Sequence, residues 1–156
     1  MKKITGKINF EYMFDPNRKG AKFSMNGTHW FNSGEFAEMA DKAIRGYSPS
    51  KDANTAYDRG SDIEETLTSV KSGKATLTSK VLGTNKAEVL KVYFETVHST
   101  NWDWVVMIDD SIMIYNMNVE EFKEFCEEWS SYDESRKTVR FKSTSGKMIK
   151  WLEERA

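Results

Sequence analysis

The order of apolar and polar positions predicts strands in several parts of the chain. Stretches that alternate with a period of two, or that are rich in β-forming residues, are typical of half-buried strands. These stretches are residues 3–14, 22–25, 28–31, 67–71, 102–108, 112–117 and 138–142. Asn26-Gly27 and Asp109-Asp110-Ser111 are turn sequences, so they join two pairs of these strands into predicted hairpins. Asp103 is assigned with Asp109 and Asp110 to this polar turn, in preference to a carboxylate cluster.

Apolar residues recur at helical spacing in four other stretches. One helix is predicted after the cap Asn32-Ser33, and the others span residues 87–95, 119–129 and 146–155. The chain shows no internal repeat and no linker. We therefore predict a single domain, residues 1–156, of mixed α/β class, with a central mixed β-sheet that contains hairpins and is flanked by about four helices.

Composition excludes several classes of protein. The net charge of −1 excludes nucleic-acid binding by overall charge alone, so any such site must be a local cluster. A single cysteine, Cys126, excludes an internal disulfide and multi-cysteine zinc sites, and its place on an apolar stripe predicts a buried thiol. No apolar run is long enough for a membrane helix and no signal peptide is apparent, so we expect a cytoplasmic protein without a membrane partner. His29 and His98 have no acid at catalytic spacing.

The most informative stretch is Gly60-Ser61-Asp62-Ile63 followed by Ser69-Val70-Lys71-Ser72. An acid near a strand, followed by a strand with a lysine, is an arrangement that holds a divalent metal beside a phosphodiester. Carboxylates bind Mg²⁺, which stabilises charge on the reacting phosphate, and a lysine orients or activates the attacking water. An acid in this position is equally typical of an ordinary cap or turn.

These residues resemble the core motif of the PD-(D/E)xK nuclease superfamily, in the form in which Ser-x-Lys replaces acid-x-Lys. The resemblance implies a restriction-endonuclease-like fold and a catalytic site of Asp62, Ser69, Lys71 and Glu88. In it Asp62 and Glu88 hold Mg²⁺, because in that branch the following helix supplies the missing carboxylate. Glu35 matches an acid on the preceding helix, and a homodimer is implied as well. Both glutamates also lie in first helical turns, where the helix dipole alone favours an acid.

Cations are dense near the carboxyl end of the chain. A nucleic-acid-binding role is predicted for six of them: Arg136, Lys137, Arg140, Lys142, Lys147 and Lys150. Phe141 and Trp151 lie among them, and such a segment contacts phosphates while an aromatic side chain packs or stacks. The alternative interpretation is a solvated basic face over a helix whose apolar side is buried.

Two classes of function follow from these patterns. The first is a metal-dependent nuclease, or a nuclease-derived DNA-binding protein, from a phage or mobile element, with nucleic acid as its partner and DNA favoured. The alternative is a non-enzymatic phage or mobile-element protein that binds a host protein or a nucleoprotein complex through an aromatic-rich surface with a charged rim. A nucleic-acid binder without chemistry is a third option.

Overall fold

The computed structural model describes residues 1–8, 10–45, 68–73, 75–77, 83–97, 99–108 and 111–156. Within them, four helices and nine strands are formed. The strands are β1 Lys2–Lys7, β2 Met13–Phe14, β3 Phe23–Ser24, β4 Thr68–Ser72, β5 Thr76–Leu77, β6 Asn101–Ile108, β7 Ser111–Asn118, β8 Ser130–Asp133 and β9 Thr138–Phe141. The helices are α1 Ser33–Ile44, α2 Lys86–Thr96, α3 Val119–Trp129 and α4 Gly146–Arg155.

The central sheet has four strands in the order β1-β7-β6-β4. Strand β4 is parallel to β6, whereas β6–β7 and β1–β7 are antiparallel, so the sheet is mixed. A two-stranded ribbon joins β2 to β3, and a second sheet has the order β5-β9-β8. The predicted mixed α/β class is therefore confirmed, and so are the hairpin of β6 with β7 and the four helices.

The helices lie on both faces of the central sheet. Trp102 and Trp104 of β6 share a buried cluster with Tyr93 of α2, Phe125 of α3 and Leu152 of α4. On the other face, α1 packs against β6 and β7 through a smaller cluster, which contains Ala37, Ala40, Val105, Ile112 and Ile114. Large aromatic side chains dominate the first cluster, and each buries about 150–250 Å². None of the described helices is both long and apolar enough to cross a membrane.

The helix starts follow from the sequence because each is capped by a short polar side chain. Asn32, Asn85, Asn118 and Ser145 each accept a hydrogen bond from the third backbone N–H of the helix that follows. In α1 and α3 the bond is reciprocal, because a glutamate at that third position also accepts from the cap backbone.

The prediction of one strand over residues 3–14 is wrong. Strand β1 ends at Lys7, which pairs with Ser111, the first residue of β7. Beyond that point β7 offers no further backbone partner, so the chain leaves the sheet. Met13 and Phe14 then pair with β3 instead.

The predicted hairpin around Asn26-Gly27 forms only in part. Gly27 has φ 79°, as a tight turn requires. The ladder, however, is reduced to a bridge between Phe23 and Phe31. Ser24 Oγ accepts from the backbone N–H of Gly27 at 2.8 Å and donates to the carbonyl of His29 at 2.6 Å. These side-chain hydrogen bonds occupy backbone N–H and C=O groups that would pair across the two strands in a longer ladder.

Candidate functional site

Strand β4 carries Lys71, and helix α2 carries Glu88. Lys71 pairs in register with Trp104, so the two residues belong to the same face, and that face is the one that α2 covers. Strand β5 and helix α2 lie between β4 and its parallel neighbour β6 in the chain, and the first turn of α2 lies at the end of α3, where Lys86 Nζ donates to the carbonyls of Glu127 and Ser130. Glu88 is in that first turn. Lys71 therefore belongs to the face of the sheet that α2 covers, and the partners of Glu88 are Thr84 and Lys91.

The carboxylate of Glu88 is exposed, and one of its two oxygens accepts hydrogen bonds. Its Oε2 accepts from Thr84 Oγ1 at 2.8 Å and from the Thr84 backbone N–H at 3.3 Å. These two hydrogen bonds hold the pKa of Glu88 below its ordinary value, with a smaller contribution from Lys91. Its Oε1 has no hydrogen-bond partner among the described residues. Glu88 is thus an ionised acid with one oxygen available to a ligand.

A cleft of about 240 Å³ lies at the carboxyl end of β4, and we call it the Lys71 cleft. Its lining residues come from the first turns of α1 and from the turn between β4 and β5: Ser33, Gly34, Glu38, Lys71, Ser72, Gly73, Ala75 and Thr76. Lys71 and Glu38 are both half-buried there. Both residues line the cleft, although α1 packs on the face opposite to the one that Lys71 shares with Trp104.

Glu38, not Glu35, is the α1 acid that lines this cleft. Glu35 completes the capping box, since its Oε1 accepts from the Asn32 backbone N–H at 3.1 Å. The prediction that Glu35 is an acid in the first turn of a helix is confirmed. Glu38 was not predicted as a site residue, because no local motif marks it.

The other residues of the motif are described only in part. Asp62 lies outside the described residues, and so do His98, Asp109 and Asp110. The backbone of Ser69 pairs with Trp102 in the parallel ladder, so the predicted strand that carries Ser-x-Lys is confirmed.

The carboxylates of the site can be compared with the ligands that Mg²⁺ requires. Among the described residues, no group of three His, Cys, Asp or Glu side chains could hold a metal ion. Mg²⁺ in phosphoryl-transfer sites is usually held by one or two carboxylates together with substrate phosphates and water. Glu38 in the Lys71 cleft and Glu88 on α2 are of that chemical kind, and oxygen donors fit this ion.

The basic carboxy-terminal segment approaches the Lys71 cleft. Phe141 donates its backbone N–H to the carbonyl of Ala75 at 2.8 Å. A Cβ atom on Gly73 would lie 2.8 Å from Thr144 Oγ1, so the two backbones are in close contact. Lys142 and Lys147 lie on either side of Thr144 and are exposed. Two of the six predicted phosphate-binding cations therefore flank a residue in contact with the turn after Lys71.

The other four predicted cations are also exposed but are more spread out. Arg136 and Lys137 lie in the turn between β8 and β9, about 13 Å from the end of β9 for a four-residue strand. Arg140 is in β9, and Lys150 lies one turn after Lys147 in α4. The segment is thus an extended band of charge with one end at the Lys71 cleft.

Asp103 is a polar feature whose environment the sequence did not indicate. It lies in β6, within the predicted strand of residues 102–108, and is fully buried, so its assignment to the polar turn is wrong. Arg45 Nη2 and Asn116 Nδ2 each donate to its Oδ1 at 2.7 Å. Its burial results from the packing of α1 on β6, a non-local contact. By contrast, Cys126 is buried, as predicted.

A second cleft, of about 360 Å³, is lined by Tyr12, Phe14, Phe23, Phe36 and Met107, and we call it the aromatic cleft. Its lining consists of four aromatic side chains and one methionine. The alternation of Phe10, Tyr12 and Phe14 was the sequence signal for it, but the pattern predicted a strand, not a separate aromatic surface.

Comparison with protein-family models, with curated proteins and with solved structures finds no match to this chain. The fold class and the arrangement of residues around Lys71 are therefore the basis for a functional assignment.

Proposed function

We propose that this chain is a Mg²⁺-dependent nuclease, or a DNA-binding protein derived from one. The observation that carries the proposal is the contact of the basic segment with the Lys71 cleft at the end of β4. Helix α1 brings Glu38 into the lining of this cleft, and Thr144 of the basic segment touches Gly73. Acid, lysine and phosphate-binding cations are the chemical groups that phosphodiester hydrolysis uses.

The charged residues have separate roles in this proposal. By the resemblance Asp62 and Glu88 would hold the metal, and Glu38 is the carboxylate that lines the Lys71 cleft. Bound Mg²⁺ would supply Lewis-acid stabilisation of the negative charge that develops on the phosphate. Lys71, half-buried at the cleft wall, would orient the attacking water or stabilise the phosphate oxygens. Lys142 and Lys147 would contact phosphates on either side of the scissile bond.

Plasmid cleavage tests the proposal. Wild-type protein incubated with supercoiled plasmid and Mg²⁺ should nick or linearise it, and a chelator should stop the reaction. Lys71→Ala should abolish cleavage. Lys123→Ala is the matched control, because it removes an exposed lysine of α3 that does not line the Lys71 cleft.

Two results would contradict the proposal that the protein is an active nuclease. One is the absence of cleavage by the wild type, and the other is equal cleavage by wild type and Lys71→Ala. Binding of DNA without cleavage, with affinity that falls as salt rises, would instead favour the nuclease-derived DNA-binding protein.

A further inference from the structure

The aromatic cleft is a preformed set of ring surfaces. Phe23 stacks on Phe36 with centroids 4.3 Å apart and an interplanar angle of 11°. Tyr12 packs on Phe36 at 4.9 Å, and Phe14 packs on Phe23 at 5.0 Å. Phe36 is buried in α1, so this helix anchors the whole group. The rings are held in place before any ligand arrives.

The same region exposes an unusual amount of apolar surface. Phe14 is 53% exposed and Met13 is 47% exposed, whereas Ile108, which is 48% exposed, points to the sheet face opposite that of Met107. Among the described residues, Val119 is the other large apolar side chain in this exposed class. A concentration of exposed apolar side chains at a cleft is typical of a binding site.

The charge beside the aromatic cleft is positive. The connection between β2 and β3, residues 15–22, carries Arg18, Lys19 and Lys22 against one acid, Asp15. Arg18 lies over the ring of Trp30 at 4.0 Å, and Lys22 donates to the carbonyl of Pro16 at 2.9 Å. Ring faces next to cations suit a ligand with planar groups and negative charge, which is the chemistry of single-stranded nucleic acid.

The aromatic cleft and the Lys71 cleft both border the first turns of α1. Phe36 lines the first, and Gly34 and Glu38 line the second. Residues two apart on a helix point to nearly opposite sides, so about one helix diameter, roughly 10 Å, separates the clefts. A short stretch of single strand spans such a distance.

We propose that the aromatic cleft binds single-stranded nucleic acid, with bases stacked on Phe14 and Tyr12 and phosphates near Arg18 and Lys19. The inference rests on the proposed function and specifies its substrate. That substrate is a nucleic-acid strand that is unpaired where it lies on the side of α1 away from Lys71. The wholly aromatic and thioether lining accepts any base, so binding has little sequence preference.

Fluorescence anisotropy with a labelled oligodeoxythymidine and a matched duplex, in a chelator that prevents cleavage, tests this site. Phe14→Ala and Phe14→Leu should each weaken single-strand binding between about 5-fold and 100-fold. Phe14→Tyr should retain binding, because it keeps the ring. Val119→Ala is the matched control, an exposed apolar side chain at the start of α3. Thermal unfolding of each variant verifies that it is folded.

Binding that Phe14→Leu leaves unchanged would overturn the inference, because it would show that no ring face is used. Wild-type binding to the duplex that equals or exceeds binding to the single strand would overturn it too. Loss of a host-protein partner by Phe14→Ala, without any oligonucleotide binding by the wild type, would assign the cleft to a protein.

Different experimental results would contradict the single-strand binding site and the nuclease activity. Lys71-dependent plasmid cleavage that Phe14→Leu does not alter, together with unaltered single-strand binding, would overturn only the stacking site. Ring-dependent single-strand binding by a wild type that cleaves nothing would support the stacking site and contradict the nuclease.

Discussion

Gly73 and Thr144 are in such close contact that a side chain on Gly73 has no room. An added Cβ would lie 2.8 Å from Thr144 Oγ1 and 3.1 Å from the Thr144 backbone nitrogen. The Thr144 hydroxyl could rotate away, but the backbone nitrogen could not move without shifting the start of α4. This contact fixes the basic segment against the turn that follows Lys71.

Gly73→Ala should therefore destabilise the protein by about 1–3 kcal/mol, as overpacking does. It should also lower cleavage, because Lys142 and Lys147 would shift relative to Lys71. Gly146→Ala is the control: no atom lies within 4 Å of its added Cβ, and alanine favours the helix. Urea unfolding and plasmid cleavage on both variants provide the comparison. Equal stability of the two variants would contradict the role given to the contact.

A substitution at Glu88 distinguishes a helix-capping role of this residue from a metal-binding role. Glu88→Gln should reduce Mg²⁺-dependent cleavage at least about 100-fold, since a metal ligand contributes several kcal/mol to the transition state. Glu121→Gln is the matched control, because Glu121 holds the equivalent capping position in α3. Initial cleavage rates at several Mg²⁺ concentrations distinguish weaker metal binding from slower chemistry. Similar losses in both variants would mean that Glu88 acts only through its helix.

The six predicted phosphate-binding cations should not contribute equally. Lys147 lies near the Gly73 contact, whereas Lys137 is in the turn between β8 and β9. Lys147→Gln should weaken DNA binding and reduce the slope of log affinity against log salt by about 0.9, the value for one phosphate contact. Lys137→Gln should change the slope less. DNA titrations at several salt concentrations measure the slope for each variant. Equal slopes would contradict the prediction and would indicate that all six cations contribute equally.

Local signals predicted most of the secondary structure. Residues 119–129 and 146–155 are helices with the predicted bounds, because their caps and apolar spacing agree. Strand β8 was missed, since Ser130-Ser131 gives no apolar alternation and the strand forms by pairing with β9. The end of β1 depended on the length of its partner strand, which is equally a property of the pairing.

The site was predictable only to the level of single elements. The sequence indicated a strand with Lys71, a capped helix with Glu88 and a basic segment. The approach of the basic segment to the end of β4 depends on a contact between distant parts of the chain, that of Thr144 with Gly73. Glu38 had no motif to mark it, and its place in the cleft results from the packing of α1 beside β4.

The buried ion pair of Arg45 with Asp103 should be important for stability. Asp103→Ala removes the carboxylate and leaves the guanidinium, whose side chain is 17% exposed, without its partner. Loss of one member of a buried pair costs about 3–5 kcal/mol. Glu124→Ala is the control, because it breaks the exposed pair with Arg155 and should cost under about 1 kcal/mol. Urea unfolding of both variants measures the difference, and similar small losses would contradict the prediction.

The thiol of Cys126 should make the protein less stable in alkali. Burial raises the pKa of this thiol to about 12 from its ordinary value of 9.0, although the charge of Lys86 acts in the opposite direction. The folded state therefore holds the proton more tightly than the unfolded state. Below pH 9 the thiol is protonated in both states and its contribution to stability is constant. Between pH 9 and 12 only the unfolded thiol ionises, so stability falls by up to about 1.4 kcal/mol per pH unit.

Cys126→Ala removes this ionisation and leaves the other titrating groups unchanged. The free energy of unfolding should therefore fall less steeply above pH 9 in the variant than in the wild type. Urea unfolding of both proteins at intervals from pH 8 to pH 11 measures the two slopes. The difference between them isolates the thiol, since any constant cost of the smaller alanine side chain shifts the curve without changing its slope. Parallel curves across this range would show that the thiol ionises as readily in the folded protein as in the unfolded chain.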